Sequence, residues 1–167
     1  MGDVTIERVD DAAGFAVVAQ LMTEYVAWLP FELCFQDFDA EVARLPEMFG
    51  PPGGAAYVAR LEGIQAGVVG YRALDEGIAE LKRMWVRPVA RGHRIGRLLA
   101  ERAIGDAAAT GFRAMRLDTV APAMGGAIDL YESLGFVDIE PYYGNPLDGA
   151  RFMELSLATW RAAAPSQ

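Results

Sequence analysis

One cysteine and one histidine stand in 167 residues. With a lone thiol, Cys34, no internal disulfide framework can form, and with a lone imidazole, His93, there is no Cys/His cluster to hold a structural zinc. Any apolar run of membrane-spanning length is also missing. The N-terminus, M-G-D-V-T-I-E-R, carries neither a long apolar stretch nor a cleavage-like signal, so a cytoplasmic protein without membrane association is expected. Positive charge is scarce: 15 Lys and Arg stand against 23 Asp and Glu, for a net charge of -8 at pH 7. The resulting pI of about 4.6 argues against nonspecific nucleic-acid binding, which depends on a net basic surface. Hydrophobic residues, at 53%, and charged residues, at 23%, are in proportions that fold into a compact core rather than a disordered chain. The length fits one domain, placed over residues 1–160, with 161–167 as a frayed tail.

Alternation of Val4 and Ile6 predicts a strand over Val4–Val9. Asp10 or Asp11 then stands where it can cap a helix over Ala12–Trp28, whose apolar positions Phe15, Val18, Ala19, Met22, Tyr25 and Val26 recur at helical spacing until Pro30 stops the run. A second helix is expected from Asp39 to Phe49, weakened at Pro46. Three strands follow as an antiparallel run, Ala55–Leu61, Ile64–Ala73 and Ile78–Val86, turned at Glu62-Gly63 and Asp75-Glu76-Gly77. Gly67 and Gly70 inside the middle strand mark a bulge or a close backbone approach. A helix over Ile95–Thr110 turns Ile95, Leu98, Leu99 and Ala103 towards the core and stops at Gly111. After a strand at Ala114–Val120 comes a helix over Met124–Leu134 stopped by Gly135, then strands Phe136–Ile139 and Arg151–Leu157 around a Pro/Gly/Tyr loop. This order reads as α+β.

The scarce positive charge is concentrated. Seven of the 15 basic residues, Lys82, Arg83, Arg87, Arg91, Arg94, Arg97 and Arg102, fall between Ile78 and Arg102. A basic loop running into a helix N-terminus suggests an anion site, because the first helical N–H groups lack intrahelical acceptors and the helix dipole adds positive potential. A phosphate-bearing ligand is the expectation, set against a solvated basic face.

R-M-W-V-R-P-V-A-R-G-H-R-I-G-R-L-L, followed downstream by A-I-D-L-Y-E-S-L-G-F, resembles the GNAT superfamily of acyl-CoA-dependent N-acyltransferases. The likeness covers nearly the whole chain in element order and is strongest from Glu80 to Phe136. It implies an α+β domain of α/β/α sandwich type, with a mixed sheet of about six to seven strands splayed at the acetyl-CoA cleft and about four helices. It also implies acetyl-CoA as co-substrate and no metal. The pyrophosphate would lie on the backbone of Arg91, Gly92, His93, Arg94, Ile95, Gly96 and Arg97, and the pantetheine arm along Met84, Trp85 and Val86. The family loop runs Arg or Gln, two residues, Gly, one residue, then Gly or Ala. Arg91 and Gly96 match its outer positions, whereas Arg94 stands where Gly is usual. The G-x-G-x-x-G spacing of a dinucleotide site is absent.

Acetyl transfer to an amine needs a neutral amine, a polarised thioester carbonyl and a proton for the departing thiolate. Tyr131 matches the family's general-acid tyrosine and shares a helical stripe with Ile128 and Leu134. Glu80 is the expected base. With regular alternation it shares a face with Met84 and Val86; a bulge would reverse that parity and favour a structural partnership with Lys82 or Arg83. By the resemblance, a backbone N–H near Val86 polarises the carbonyl. His93 is read as a peripheral ligand contact or an exposed side chain. Cys34, among Phe31, Leu33 and Phe35, is read as a buried or half-buried apolar cysteine, and ping-pong transfer through it is disfavoured. Phe31, Phe35, Tyr142, Tyr143 and Asn145 are the expected lining of the acceptor pocket, with Trp28 and Glu32 or Asp37 beside them. The activity expected is direct acetylation of a primary amine on a small or amino-acid-like molecule. A non-catalytic CoA-binding sensor and a protein or peptide amine acetyltransferase remain the alternatives. Alternating Phe152, Leu155 and Leu157 would allow a homodimer through the C-terminal strands, and are equally explained by burial within the sheet.

Overall fold

The computed structural model describes residues 2–30, 38–120, 125–145, 147, 149–158 and 160. Within them lie seven strands, β1 (Val4–Arg8), β2 (Ala55–Leu61), β3 (Ile64–Asp75), β4 (Ile78–Val86), β5 (Ala114–Val120), β6 (Val137–Ile139) and β7 (Ala150–Ser156). They form one mixed sheet in the order β1-β2-β3-β4-β5-β7-β6. The helices are α1 (Ala12–Trp28), α2 (Phe38–Ala43), α3 (Leu45–Met48), α4 (Ile95–Thr110) and α5 (Gly125–Leu134), with a 3-10 turn at Pro88–Ala90. The chain divides into two compact units, one taking in the residues through Arg72 together with Leu81–Ala103, the other Ala73–Glu80 and the residues from Ile104 on.

In the first unit, Asp11 caps α1 by accepting the Gly14 N–H at 2.7 Å, satisfying a first-turn donor. The helix buries Val18, Leu21, Met22 and Tyr25 and lies against β2. The one helix expected over 39–49 is two. The chain leaves helical geometry at Arg44 (φ -124), and Pro46, in the first turn of α3, has no N–H with which to continue α2. Strands β1, β2 and β3 are antiparallel neighbours. In β3, Ala59 faces Gly67 while Arg60 faces Gln65, so Ala66 is the extra residue of a bulge. Its carbonyl accepts the Arg87 N–H at 2.8 Å, and Arg87 also donates to the Gln65 carbonyl at 2.9 Å. A side chain at Gly67 would stand 2.9 Å from the Trp85 carbonyl and 3.2 Å from Leu99 Cδ1, so the glycine is what lets α4 seat so closely on the sheet. Ile95, Leu99 and Ala103 are buried there, but Leu98, expected beside them, is 37% exposed: the stripe follows i, i+4, i+8 and leaves Leu98 at its margin.

In the second unit, β5 pairs antiparallel with β7 from Ala114↔Ser156 to Val120↔Ala150, and β7 pairs antiparallel with β6. Strand β4 pairs in parallel with β5 at Ile78↔Ala114, Ala79↔Met115 and Glu80↔Arg116. Both long helices here end as the glycines foretell. Gly111 (φ +115) and Gly135 (φ +105) take the left-handed conformation. The following N–H groups turn back, Phe112 to the Ala107 carbonyl at 3.2 Å and Phe136 to the Tyr131 carbonyl at 3.0 Å, satisfying last-turn acceptors. Phe152, Leu155 and Leu157 are all buried, so their alternation is satisfied within the chain.

Candidate active site

The basic loop has the local form of an anion cradle. After the 3-10 turn, Gly92 (φ +92) and Arg94 (φ +60) both adopt the left-handed conformation, and α4 begins at Ile95, with the Arg94 carbonyl accepting Leu98 N–H at 3.0 Å. This explains the family's preference for glycine where Arg94 stands: the position needs a positive φ, which costs an L-residue about 1–2 kcal/mol. Arg91, Gly92 and Arg94 are exposed, Ile95 is buried, and His93, Gly96 and Arg97 are half-buried. Arg91 is steadied at both ends, donating from Nε to the Val86 carbonyl at 3.3 Å and lying 5.0 Å over the Trp28 ring. Arg97 pairs with Glu101 one turn on, at 3.2 Å. His93 Nδ1 lies 3.1 Å from the Ala90 carbonyl, a contact that places the ring proton on Nδ1 and gives the imidazole an orienting bond within the loop.

The strand before the loop is irregular at Arg83. Arg83 has φ +61, and the consecutive residues Lys82 and Arg83 both reach Glu41 of α2, at 4.0 and 2.8 Å, where regular pleating would send them to opposite faces. Burial nevertheless alternates through Arg83, with Leu81, Arg83 and Trp85 buried and Lys82, Met84 and Val86 half-buried. Trp85 is 6% exposed, 6.4 Å from the Tyr25 ring, and its indole Nε1 is a buried donor with no partner among the described residues. Such a donor costs about 1–3 kcal/mol until an acceptor reaches it.

The second unit gathers two carboxylates under the loop that follows β6. Glu80, only 2% exposed, accepts the Tyr142 hydroxyl at 2.8 Å. Asp118, two residues beyond Arg116 on β5, accepts the Tyr143 hydroxyl and the Asn145 side-chain amide at 3.0 Å. Asn145 also accepts the Leu147 N–H at 2.9 Å, closing the turn that presents it. Phe152 is the floor, with ring centres 5.1 Å from Tyr142 and 5.3 Å from Tyr143, both edge-on. Arg116, paired with Glu154 at 2.7 Å, lies 5.6 Å over the Tyr142 ring. Burial, followed by the charge of Glu80, pushes the Tyr142 phenol far above its ordinary value of 10.0. Burial and the hydrogen bond to Asp118 do the same for Tyr143. Both phenols therefore stay protonated, as hydrogen-bond donors and not as proton sources.

Tyr131 is placed by the end of α5. It is 7% exposed, in line with Ile128 and Leu134, which are also buried. The Phe136 N–H caps its carbonyl, and the Phe136 ring packs edge-on at 5.7 Å. The Y-x-x-L-G-F segment is thus a helix stop whose glycine folds the phenylalanine back onto the tyrosine.

Of the expected acceptor residues, Tyr142, Tyr143 and Asn145 are brought together with Glu80. Phe31 and Phe35, with Glu32, Cys34 and Asp37, lie outside the described residues, as does the expected tail. Asp118 was missed. Its signal was the alternation of charged Arg116 and Asp118 with apolar Met115 and Leu117 in a largely buried strand. Among the described residues no group of three or more His, Cys, Asp or Glu could hold a metal ion, and no helix is long and apolar enough to cross a membrane.

The profile of the Acetyltransferase (GNAT) family matches residues 14–136. The chain is similar to an uncharacterised N-acetyltransferase of Schizosaccharomyces pombe, 37% identical over 140 residues that make up 83% of this chain and 85% of that protein. In fold it is similar to a GNAT-family acetyltransferase from Staphylococcus aureus, with a TM-score of 0.74 and 19% identity, over 93% of this chain and 99% of that one. It is also similar to a putative acetyltransferase from Salmonella typhimurium whose structure was solved with its cofactor acetyl-CoA, with a TM-score of 0.66 and 23% identity, over 92% and 94% of the two chains. The mixed seven-stranded sheet, the cradle at the start of α4 and a family match over most of the length agree: the chain belongs to the GNAT acetyltransferase family and is an acetyl-CoA-dependent N-acetyltransferase.

Proposed function

We propose that the enzyme acetylates a primary amine on a small, amino-acid-like molecule by direct transfer, with Glu80 as base and Tyr131 as acid. The observation that carries this reading is Glu80 itself, a carboxylate 2% exposed in a cluster whose other members, Asp118, Tyr143 and Asn145, are polar and partly buried. That lining suits an ammonium-bearing molecule with further polar groups. The left-handed Gly92 and Arg94 and the first turn of α4 fit a pyrophosphate, and the orphaned Trp85 Nε1 fits a carbonyl or amide acceptor in the segment assigned to the pantetheine arm.

When bound, acetyl-CoA supplies the activated acetyl thioester. Arg91 to Arg97 hold its phosphates, and Met84, Trp85 and Val86 align the arm, with a backbone N–H near Val86 on the thioester oxygen. Glu80 takes a proton from the amine, directly or through one water, and frees the lone pair that forms the new C–N bond. As the C–S bond breaks, Tyr131 gives its phenolic proton to the departing sulfur. The raised phenols of Tyr142 and Tyr143 make them poor substitutes for that step.

Tyr131→Phe tests the assignment. It keeps the edge contact with Phe136 and removes only the hydroxyl, so kcat falls by about 10²–10⁴-fold while the acetyl-CoA Kd, measured by calorimetry, stays as in the parent enzyme. Equal turnover removes Tyr131 from the mechanism.

A further inference from the structure

We infer that Tyr142 is a positioning residue for the base: by donating to Glu80 Oε2 at 2.8 Å, its hydroxyl holds that carboxylate in the orientation from which it takes the amine proton. The inference rests on the reading of Glu80 as base and gives Tyr142 a role other than lining the acceptor pocket. The two residues are 62 positions apart in sequence, and the contact exists because the loop after β6 folds back over β5 and β7. The phenol has little freedom to miss its target. Its ring is fixed by Phe152 at 5.1 Å, by Tyr143 at 5.7 Å and by the Arg116 guanidinium at 5.6 Å. Arg116 is itself tied to Glu154 at 2.7 Å and stands opposite Glu80 in the β4·β5 register. A carboxylate with χ3 free to rotate presents its oxygens in many directions; one anchored oxygen fixes the plane of the other.

The surroundings make the hydrogen bond one-directional. Burial, then the charge of Glu80 and its hydrogen bond, and after them the charge of Asp118, hold the Tyr142 phenol in its protonated form, so Tyr142 is the donor in this contact. From β5, Arg116 is engaged by Glu154 and Asp118 by Tyr143 and Asn145. From β4, Lys82 is drawn towards Glu41 at 4.0 Å. Against these neighbours, Tyr142 contributes a directed contact to Glu80, its hydroxyl donating to Oε2 at 2.8 Å.

The test is the pH dependence of kcat/KM with acetyl-CoA and an accepted amine. Tyr142→Phe keeps the ring on Phe152 and removes the donor, and the acidic limb is expected to move to higher pH, since a hydrogen bond to the carboxylate is being lost. Tyr142→3-fluorotyrosine, a stronger donor of the same shape, moves the limb the other way; it also supplies the answer if the phenylalanine variant does not fold. Tyr143→Phe, which removes the bond to Asp118 instead, raises the acceptor KM and leaves the limb in place. If Glu80→Gln abolishes the limb while both Tyr142 variants leave it at the parent pH, Tyr142 does not position the base and the inference falls alone. If Glu80→Gln retains the limb, the base assignment falls and takes the inference with it.

Discussion

Replacing Glu41 by Gln strikes the most deeply buried ion pair described in the structure. The Glu41 and Arg83 side chains are 4% and 5% exposed and meet at 2.8 Å, with a second guanidinium contact at 3.2 Å. After the substitution Arg83 keeps its position over the Phe38 ring at 5.6 Å but faces a neutral amide, and Lys82, 15% exposed, loses the same counter-charge. Removing one partner of such a pair costs about 3–5 kcal/mol, because the remaining charge stays out of water. The retained amide oxygen, which can still accept from the guanidinium, returns part of this, about 1 kcal/mol, leaving a loss near 3 kcal/mol. With m about 2 kcal/mol/M for urea, the unfolding midpoint falls by about 1.5 M. Because Arg83 is the left-handed residue that sets the course of Met84 to Val86, the KM for acetyl-CoA rises as well. Glu41→Leu with Arg83→Met removes both charges and recovers most of the stability. A loss below about 1 kcal/mol at unchanged m, the size found for exposed pairs, would refute the claim that this pair pins the kink in β4.

Two further outcomes follow from the same geometry. Arg94→Gly relieves the left-handed strain at φ +60 and raises stability by about 0.5–1 kcal/mol, read from thermal melts; a lower melting temperature would mean that the Arg94 side chain stabilises the loop more than its backbone strains it. The hydrogen bonds from Arg87, at 2.6 and 2.8 Å, hold the Glu24 carboxyl below its ordinary value of 4.5, so the stabilisation is present above that pH and lost as pH falls through the lower, folded value. Urea stability measured from about pH 6 down to about pH 3 should therefore decline less in Glu24→Gln than in the parent.

Local signals were legible where one residue decides local geometry. Asp11 capped its helix, Gly111 and Gly135 stopped theirs, and the turns at Glu62-Gly63 and Asp75-Gly77 bounded the meander. The same logic was blind at Arg83, because a positive φ occupied by arginine leaves no glycine to announce it, whereas at Arg94 the family pattern, with glycine usual there, marked the position. Pro46 was noticed, yet the break at Arg44 needed the backbone to be seen. In the candidate site Glu80, Tyr142, Tyr143 and Asn145 could be named separately, but the pairing of Tyr142 with Glu80 and of Tyr143 with Asp118 spans 62 and 25 residues. Only the sheet order, which sets β5 between β4 and β7, creates those neighbours.

The central claim is tested most directly by incubating the enzyme with acetyl-CoA and a panel of small primary amines and following free CoA thiol. The expected result is release that is negligible without amine and that rises and saturates with at least one small amino-acid-like acceptor. Tight acetyl-CoA binding with no amine-dependent release across the panel, or release supported only by peptide amines, would contradict it.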